Sequence, residues 1–336
     1  MIIVLKRDRQ EVLEDVRSRL MAGGFQYNVL EGVKYTVIPV LGDLTTSDIS
    51  RFRSIDGVDK VLRISSPYYM VTKEYRPKSV VDLGDGVTIG NNFQFIAGPC
   101  SVEGEESFDR IAAFLSGLGV KLLRGGTYKM RSSPYSFQGL GDEGLRIMKR
   151  VAKRYGMKTV SEIVDLRSLD FFLEHVDMIQ VGARNMYNFT LMRELGKSGK
   201  PLLIKRAPSA RLEDFLLSVE YVLLEGNEQV VLCERGSISF DDASRNAVNM
   251  AAIPMLKDIS HLPVLLDPSH GVGVARYIPA VSEAAVLLGA DGLLIEVHFD
   301  PSNALSDGFQ SVNFEQFSRI FERTKKIQNC LGNPCF

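Results

Sequence analysis

The sequence predicts an α/β protein whose larger part is a closed (β/α)₈ barrel, and three observations lead there. From Phe93 onward eight short apolar runs recur, each followed by an amphipathic helical stretch. The runs are almost continuously apolar rather than alternating, as expected of parallel strands covered on both faces. Together they occupy about 240 residues, close to the ~250 typical of such a barrel. A doubly wound open sheet is the alternative. It needs no eighth strand and usually carries a Gly-rich phosphate turn after its first strand, where this chain has Gly98-Pro99-Cys100.

The eight runs are Phe93–Ala97, Lys121–Arg124, Lys158–Glu162, Met178–Val181, Leu202–Lys205, Val230–Glu234, Val264–Asp267 and Gly292–Val297. Between them, Phe108, Ile111, Ala112 and Leu115 share one helical face, as do Leu212, Phe215, Leu216, Val219 and Leu223. Ahead of the barrel, residues 1–65 read β-α-β-β-α-β. Ile2–Lys6 is a strand; Val12, Val16 and Leu20 keep helical spacing up to Gly23-Gly24. Tyr27–Leu30 and Val33–Leu41 are strands around a Glu31-Gly32 hairpin, Ser47–Ser54 is a helix, and Val58–Ile64 closes the unit. This order is the split-βαβ, ferredoxin-like pattern. Pro39 cannot donate to a ladder, so its strand is expected to end or bulge there. Residues 66–79, with Pro67 and Pro77, read as a linker. Val80–Asn92 reads as a hairpin around Gly84-Asp85-Gly86, and opens the barrel domain, 80–336.

Composition narrows the function classes. With 45% hydrophobic and 24% charged residues and a net charge of −1, bulk charge points to neither nucleic acid nor an anionic membrane. The N-terminal apolar run is too short for a secretory segment and no run approaches a spanning helix, so a cytoplasmic enzyme is expected. Cys100, Cys233, Cys330 and Cys335 have neither disulfide-framework nor zinc-finger spacing. Cys330 and Cys335 read as spare thiols in a tail.

Barrel chemistry lies at the C-terminal ends of the strands. Reading those positions gives Cys100 and Ser101, then Arg124 with Lys129, Arg131 and Ser132, then Glu162, then Gln180 and Arg184. Lys205 and Arg206, Glu234 and Arg235, Asp267 and His270, and Glu296 and His298 follow, with Asp307 in the last loop. Any one of these arginines would ordinarily pair with a nearby acid. Arg124, Lys129, Arg131, Arg184, Lys205 and Arg235 converging on one mouth are too many for a single carboxylate and point to polyanionic substrates. A thiol, an imidazole and two carboxylates (Cys100, His270, Glu296, Asp307) suit Mn²⁺, Fe²⁺, Co²⁺ or Zn²⁺. Each also has a plain structural reading, a buried small hydrophobe for the cysteine or a turn residue for the histidine.

Eight segments carry a resemblance. They are Ile-Ala-Gly-Pro-Cys-Ser-Val-Glu (96–103), Leu-Arg-Gly-Gly (123–126), Lys-Met-Arg-Ser-Ser-Pro (129–134), Gln-Val-Gly-Ala-Arg-Asn (180–185), Leu-Ile-Lys-Arg (203–206), Leu-Cys-Glu-Arg-Gly (232–236), Leu-Asp-Pro-Ser-His (266–270) and Ile-Glu-Val-His (295–298). In order and strand by strand, from about residue 80 to 325, they resemble the type I 3-deoxy-D-arabino-heptulosonate 7-phosphate (DAHP) synthases. Residues 1–65 resemble the regulatory domain some members carry. The resemblance implies condensation of phosphoenolpyruvate with erythrose 4-phosphate, the entry to the shikimate pathway. It implies that Arg124, Lys129, Arg184, Lys205 and Arg235, with the backbone N–H of Ala183, hold phosphoenolpyruvate. Arg131 and Ser132 would hold the aldose phosphate, and Cys100, His270, Glu296 and Asp307 one divalent metal ion. Lys129, Glu162 and His270 are the expected catalytic side chains, Glu162 as partner of the water that adds at C2 or, equally, as counter-ion to the cations. Met130 stands where the family usually has proline, which leaves that loop less stiff.

The nearest rival is the sister family of 3-deoxy-D-manno-octulosonate 8-phosphate synthases, acting on arabinose 5-phosphate. Its members typically have one more residue between the loop Lys and Arg than the single Met130 here. A Schiff-base aldolase using Lys205 would need a depressed pKa for that lysine in a dry pocket. A barrel kept only as a sensor or scaffold would not need the full set of strand-end groups. By resemblance, the N-terminal domain binds an aromatic amino acid at a subunit contact and closes over the barrel mouth of a homo-oligomer, tetramer or dimer. A purely structural role is the alternative.

Overall fold

The computed structural model describes residues 1–6, 9–41, 45–62 and 67–332. The N-terminal unit comprises β1 (Ile2–Lys6), α1 (Gln10–Ala22), β2 (Gln26–Tyr27), β3 (Leu30–Glu31), β4 (Tyr35–Leu41), α2 (Thr46–Arg53) and β5 (Val58–Leu62). Its antiparallel sheet has the order β2-β4-β1-β5, with β3 also on β4. Successive strand residues face opposite ways. Ile3 and Leu5 therefore join Leu13, Val16, Leu20 and Phe52 under the helices, while Val4 and Val37 turn to the barrel's core. The strand expected to end at Pro39 runs through it to Leu41, in register with β1. The Asn28 N–H donates to the Pro39 carbonyl just where the neighbouring strand is interrupted between β2 and β3. The proline's missing donor thus faces a gap in the ladder. The expected continuous strand Tyr27–Leu30 is broken for the same reason. Residues 63 and 64 of the expected last strand lie outside the described residues.

β6 (Val81–Asp82) and β7 (Thr88–Ile89) form the expected hairpin. Then come β8 (Gln94–Gly98), α3 (Glu105–Gly117), β9 (Leu122–Arg124), α4 (Gly141–Arg154), β10 (Lys158–Ile163), α5 (Leu169–His175), β11 (Met178–Val181), α6 (Phe189–Ser198) and β12 (Leu202–Lys205). α7 (Leu212–Leu224), β13 (Val230–Glu234), α8 (Ala252–Ile259), β14 (Val264–Leu266), α9 (Pro268–Val272), α10 (Ile278–Leu287), β15 (Gly292–Glu296) and α11 (Phe314–Gly332) complete the chain. β8 to β15 are parallel and close on themselves through β15 and β8, Glu296 opposite Gly98. Each strand matches its apolar run to within a residue at either end. No helix among the described residues is long and apolar enough to cross a membrane.

The hairpin closes the base of the barrel. Val81, Leu83, Val87 and Ile89 pack on Ile96, Leu122, Val160, Met178, Leu203, Val231, Leu265 and Leu294, one inward residue from each strand. The stretch read as a linker is strapped down rather than free. Glu220 of α7 accepts N–H groups of Tyr69 (2.9 Å) and Val71 (2.8 Å), and Thr72 bridges Ser260. The N-terminal unit docks on the loop after α7. A Cβ on Gly32 would lie 2.0 Å from the Leu224 carbonyl oxygen, so only glycine permits that approach. Val33 donates its N–H to Glu225 Oε2 (3.2 Å), and Lys34 lies 3.6 Å from Glu228. That loop precedes β13 and so lies at the base. Within one chain, the domain expected to close over the mouth packs at the opposite end.

Candidate active site

Period-two geometry builds the site. Two residues beyond the apolar base layer the same strands turn polar groups inward: Arg124 after Leu122, Glu162 after Val160, Gln180 after Met178, Lys205 after Leu203, Asp267 after Leu265 and Glu296 after Leu294. Arg124, Lys205, Asp267 and Glu296 are almost fully withdrawn from solvent. Above them opens a cavity of about 510 Å³, lined by Lys129, Met130, Arg131, Ser132, Glu162, Ala183, Arg184, Lys205, Arg235, Arg245, Asn246, His270 and Asp307 among others. Of the thirteen residues expected to bind substrate or metal or to act in catalysis, ten line this one space. Arg124, Cys100 and Glu296 lie beneath it.

The cations are partly spoken for. Arg124 Nη1 donates to Glu296 Oε1 and to the Pro99 carbonyl, both at 2.8 Å, Lys205 pairs with Asp267, and Arg184 donates to the Met130 carbonyl. Arg206 is consumed structurally, by Glu234 (2.7 Å) and the Ala210 carbonyl. Its plain salt-bridge reading holds. Yet the buried Arg124 Nε and Arg235 Nη1 have no hydrogen-bond partner among the described residues. Burial works against the Arg235 charge and lowers its pKa. An unpaired buried guanidinium N–H costs on the order of 1–3 kcal/mol unless an acceptor arrives. The cavity is built to take anions. At its edge Glu162 accepts from Gln180 Nε2 (2.8 Å). A Cβ on Gly182 would sit 2.0 Å from Glu162 Oε1, so the glycine leaves this carboxylate its room.

Cys100, Glu296 and Asp307 bring Sγ and carboxylate oxygens within 4.8 Å of one another. His270 stands beside that group, with Nε2 3.6 Å from Glu296 Oε1 and Nδ1 2.8 Å from Asp267 Oδ2. Cys100 Sγ lies 3.2 Å from Asp307 Oδ2, and Lys129 Nζ lies 3.1 Å from the sulfur. Burial pushes the Cys100 thiol up to about 12, with Glu296 adding to it. Burial also opposes ionisation of Glu296, but His270, Arg124 and Lys129 outweigh it and hold the carboxyl down to about 2. Burial works against the Lys129 charge too, but Cys100 and Glu296 overcome it and raise its pKa. Asp307 adopts φ 46°, a left-handed backbone that aspartate enters more readily than most non-glycine residues. A soft thiol beside two carboxylates and an imidazole is a donor set that fits a divalent transition metal.

Some neighbours carried no signal in the sequence. Gln310 donates through Nε2 to Glu296 Oε2 (2.6 Å) and accepts from Arg245 Nη1 (2.5 Å). Both residues lie on loops without periodicity. His298, at a strand end, turns away towards Glu103 (3.4 Å).

Known proteins bear on this geometry. A profile described as the DAHP synthetase I family matches residues 72–331, and one described as a DAHP synthase ferredoxin-like domain matches residues 1–66. The chain belongs to the DAHP synthetase I family. Among family relatives, phospho-2-dehydro-3-deoxyheptonate aldolase of Thermotoga maritima is 45% identical over 99% of both chains. The crystal structure of the T. maritima protein, also called DAHP synthase, superposes with a TM-score of 0.80 at 43% identity over 98% of both chains. A truncated form of the T. maritima synthase gives 0.73 at 44% identity, covering 78% of this chain and 97% of its own. A 2-dehydro-3-deoxyphosphooctonate aldolase of Syntrophobacter fumaroxidans is more distant, 33% identical over 72% of this chain and 90% of its own.

Proposed function

We propose that this chain is a DAHP synthase that joins phosphoenolpyruvate to erythrose 4-phosphate and water, releasing 3-deoxy-D-arabino-heptulosonate 7-phosphate and inorganic phosphate. The observation that carries the residue-level reading is one cavity lined by Lys129, Arg131, Arg184, Lys205 and Arg235 together, with the buried Nη1 of Arg235 left without a hydrogen-bond partner among the described residues. Arg124, Lys129, Arg184, Lys205 and Arg235, with the Ala183 N–H, hold the carboxylate and phosphate of phosphoenolpyruvate. Arg131 and Ser132, in the lining of the same cavity, hold the aldose phosphate. Holding both substrates in one cavity turns a two-molecule encounter into an oriented one.

Cys100, Glu296 and Asp307, with His270, hold one divalent metal, which when bound supplies Lewis-acid polarisation of the aldehyde. C3 of phosphoenolpyruvate attacks the aldehyde carbon, and Lys129 donates to the oxygen that gains charge. C2 becomes cationic and water adds there. Glu162, oriented by Gln180, takes the proton of that water, and the hemiketal phosphate collapses to product and phosphate. Lys205 is held in a buried ion pair with Asp267 rather than presented as a free amine, which argues against a Schiff-base role. The N-terminal domain, in this reading, carries feedback inhibition by an aromatic amino acid in a homo-oligomer, tetramer or dimer.

The test is phosphate release from phosphoenolpyruvate with each aldose, with and without chelator. Turnover with erythrose 4-phosphate, lost on chelation and restored by Mn²⁺, is expected. Turnover with arabinose 5-phosphate alone would overturn the substrate reading. Inhibition by phenylalanine or tyrosine that disappears on deleting residues 1–65 tests the regulatory one.

A further inference from the structure

Gln310 lies in the loop after β15, fully buried, and nothing in the reaction requires it directly. Its two amide ends have different partners. Nε2 donates to Glu296 Oε2 at 2.6 Å, and Oε1 accepts from Arg245 Nη1 at 2.5 Å. A carboxylate only accepts and a guanidinium only donates, so this pairing fixes the amide in one orientation. The other Glu296 oxygen, Oε1, accepts from Arg124 Nη1 at 2.8 Å. Each oxygen of the carboxylate thus has one protein donor, which stops rotation of the group while leaving lone pairs towards Cys100 and Asp307. Arg245 comes from the loop after β13 and lines the cavity wall. Its backbone N–H is held by the Val272 carbonyl (3.1 Å) at the end of α9, the helix that carries His270. Three segments at the mouth therefore meet at one amide.

We propose that Gln310 is a positioning residue for Glu296, and that Arg245 locks the Gln310 amide in the orientation that does this. The inference rests on the metal reading given above. Carboxylate ligands whose outer partners are removed typically lose 10–100-fold in metal affinity or activity. In Gln310→Leu the carboxylate keeps the Arg124 contact but loses its second anchor. In Gln310→Glu an acidic group faces Glu296, while the contact to Arg245 survives. In Arg245→Ala the amide stays but is free to flip.

The experiment titrates the purified full-length protein with Co²⁺ and follows the thiolate-to-cobalt absorption band, alongside thermal unfolding and steady-state kinetics. Expected is a Kd weakened about 10–100-fold in Gln310→Leu and at least as much in Gln310→Glu, and about 3–10-fold in Arg245→Ala. kcat should fall while KM for phosphoenolpyruvate stays within about twofold. A folded Gln310→Leu with wild-type Kd and kcat would overturn the proposal, as would a fall in KM-linked terms alone. If Gln310→Leu does not fold, Arg245→Ala decides, since a wild-type Kd there removes the locking step. Cys100→Ala, which has no thiolate band and is read instead by bound Co²⁺ after dialysis, separates the two readings. If it binds Co²⁺ as the wild type does, the metal assignment fails. If it loses Co²⁺ while both Gln310 variants keep it, only the positioning role fails.

Discussion

The base and the mouth of the barrel are made by the same eight strands, two residues apart, and they are opposites. At the base, Ile96, Leu122, Val160, Met178, Leu203, Val231, Leu265 and Leu294 form a dry layer sealed by the β6–β7 hairpin. At the mouth, Arg124, Lys205, Asp267 and Glu296 sit equally buried but charged. The base gains by excluding water from apolar area. The mouth forgoes that gain, and holds its charges by pairing Arg124 with Glu296 and Lys205 with Asp267. Pairs of this kind add little net stability over well-packed apolar groups. The difference teaches that burial alone does not mark function; buried charge with donors left over does.

If that division is right, substitutions two residues apart on one strand should separate activity from stability. The largest effect is expected of Cys100→Ala, which should abolish turnover and metal binding while unfolding at close to the wild-type temperature. Full activity in it would sink the ligand assignment. Arg235→Ala comes next. Losing two charge-assisted hydrogen bonds, each worth about 1.5–3 kcal/mol, implies a fall of about 10²- to 10⁴-fold in kcat/KM for phosphoenolpyruvate. Leu203→Ala, on the strand that carries Lys205, should do the reverse. A cavity in the base costs about 2–5 kcal/mol of stability, read by denaturant unfolding, with KM unchanged. A large change in KM there would show that the layers are not separable.

How much of this was legible in the sequence follows the same division. The barrel strands were, because near-continuous apolar runs leave few alternatives, and so was the mouth, because its groups stand at strand ends. Gln310 and Arg245 were not, because Gln310 reaches Glu296 and Arg245 reaches Gln310 from segments whose contacts no periodicity encodes. Pro39 misled, because the cost of its missing donor depends on whether the neighbouring strand is there to receive it. The strap at 67–79 was hidden as well. Two prolines suggested a tether, and the anchor is a glutamate well over a hundred residues away on α7. The regulatory expectation placed the N-terminal domain over the mouth. Within one chain Gly32, Val33 and Lys34 seat it on the base of its own barrel, a surface no sequence pattern announced; the expected closure is a contact between subunits, which the inhibition test addresses.

Within the mouth, Arg131→Ala should raise KM for the aldose about tenfold or more and leave that for phosphoenolpyruvate nearly unchanged, since Arg131 lines the cavity and its ion pair with Asp307 is a long one, at 3.7 Å. The opposite pattern would move the boundary between the two substrate positions.

The smallest effect tests a buried charge that belongs to neither layer. Glu220 on α7 accepts backbone N–H groups from the strap but has no cation among its hydrogen-bond or ion-pair partners in the described residues. Burial raises its pKa to about 7, the N–H groups of Val71, Met70 and Tyr69 opposing that only in part. Unfolded, the carboxyl titrates near its ordinary 4.5. Between those two values the folded chain holds the proton more tightly than the unfolded one, so stability from this group is fully present below about pH 4.5 and is lost as pH rises towards 7. Glu220→Gln keeps an acceptor for the strap and has nothing to ionise. Its unfolding temperature should therefore gain on the wild type by a few degrees between pH 4.5 and 7.5, with turnover at saturating substrate unaltered. Parallel curves would mean that the carboxyl is charged in the fold at no cost, and that the strap, like the mouth, has found a way to keep a buried anion satisfied.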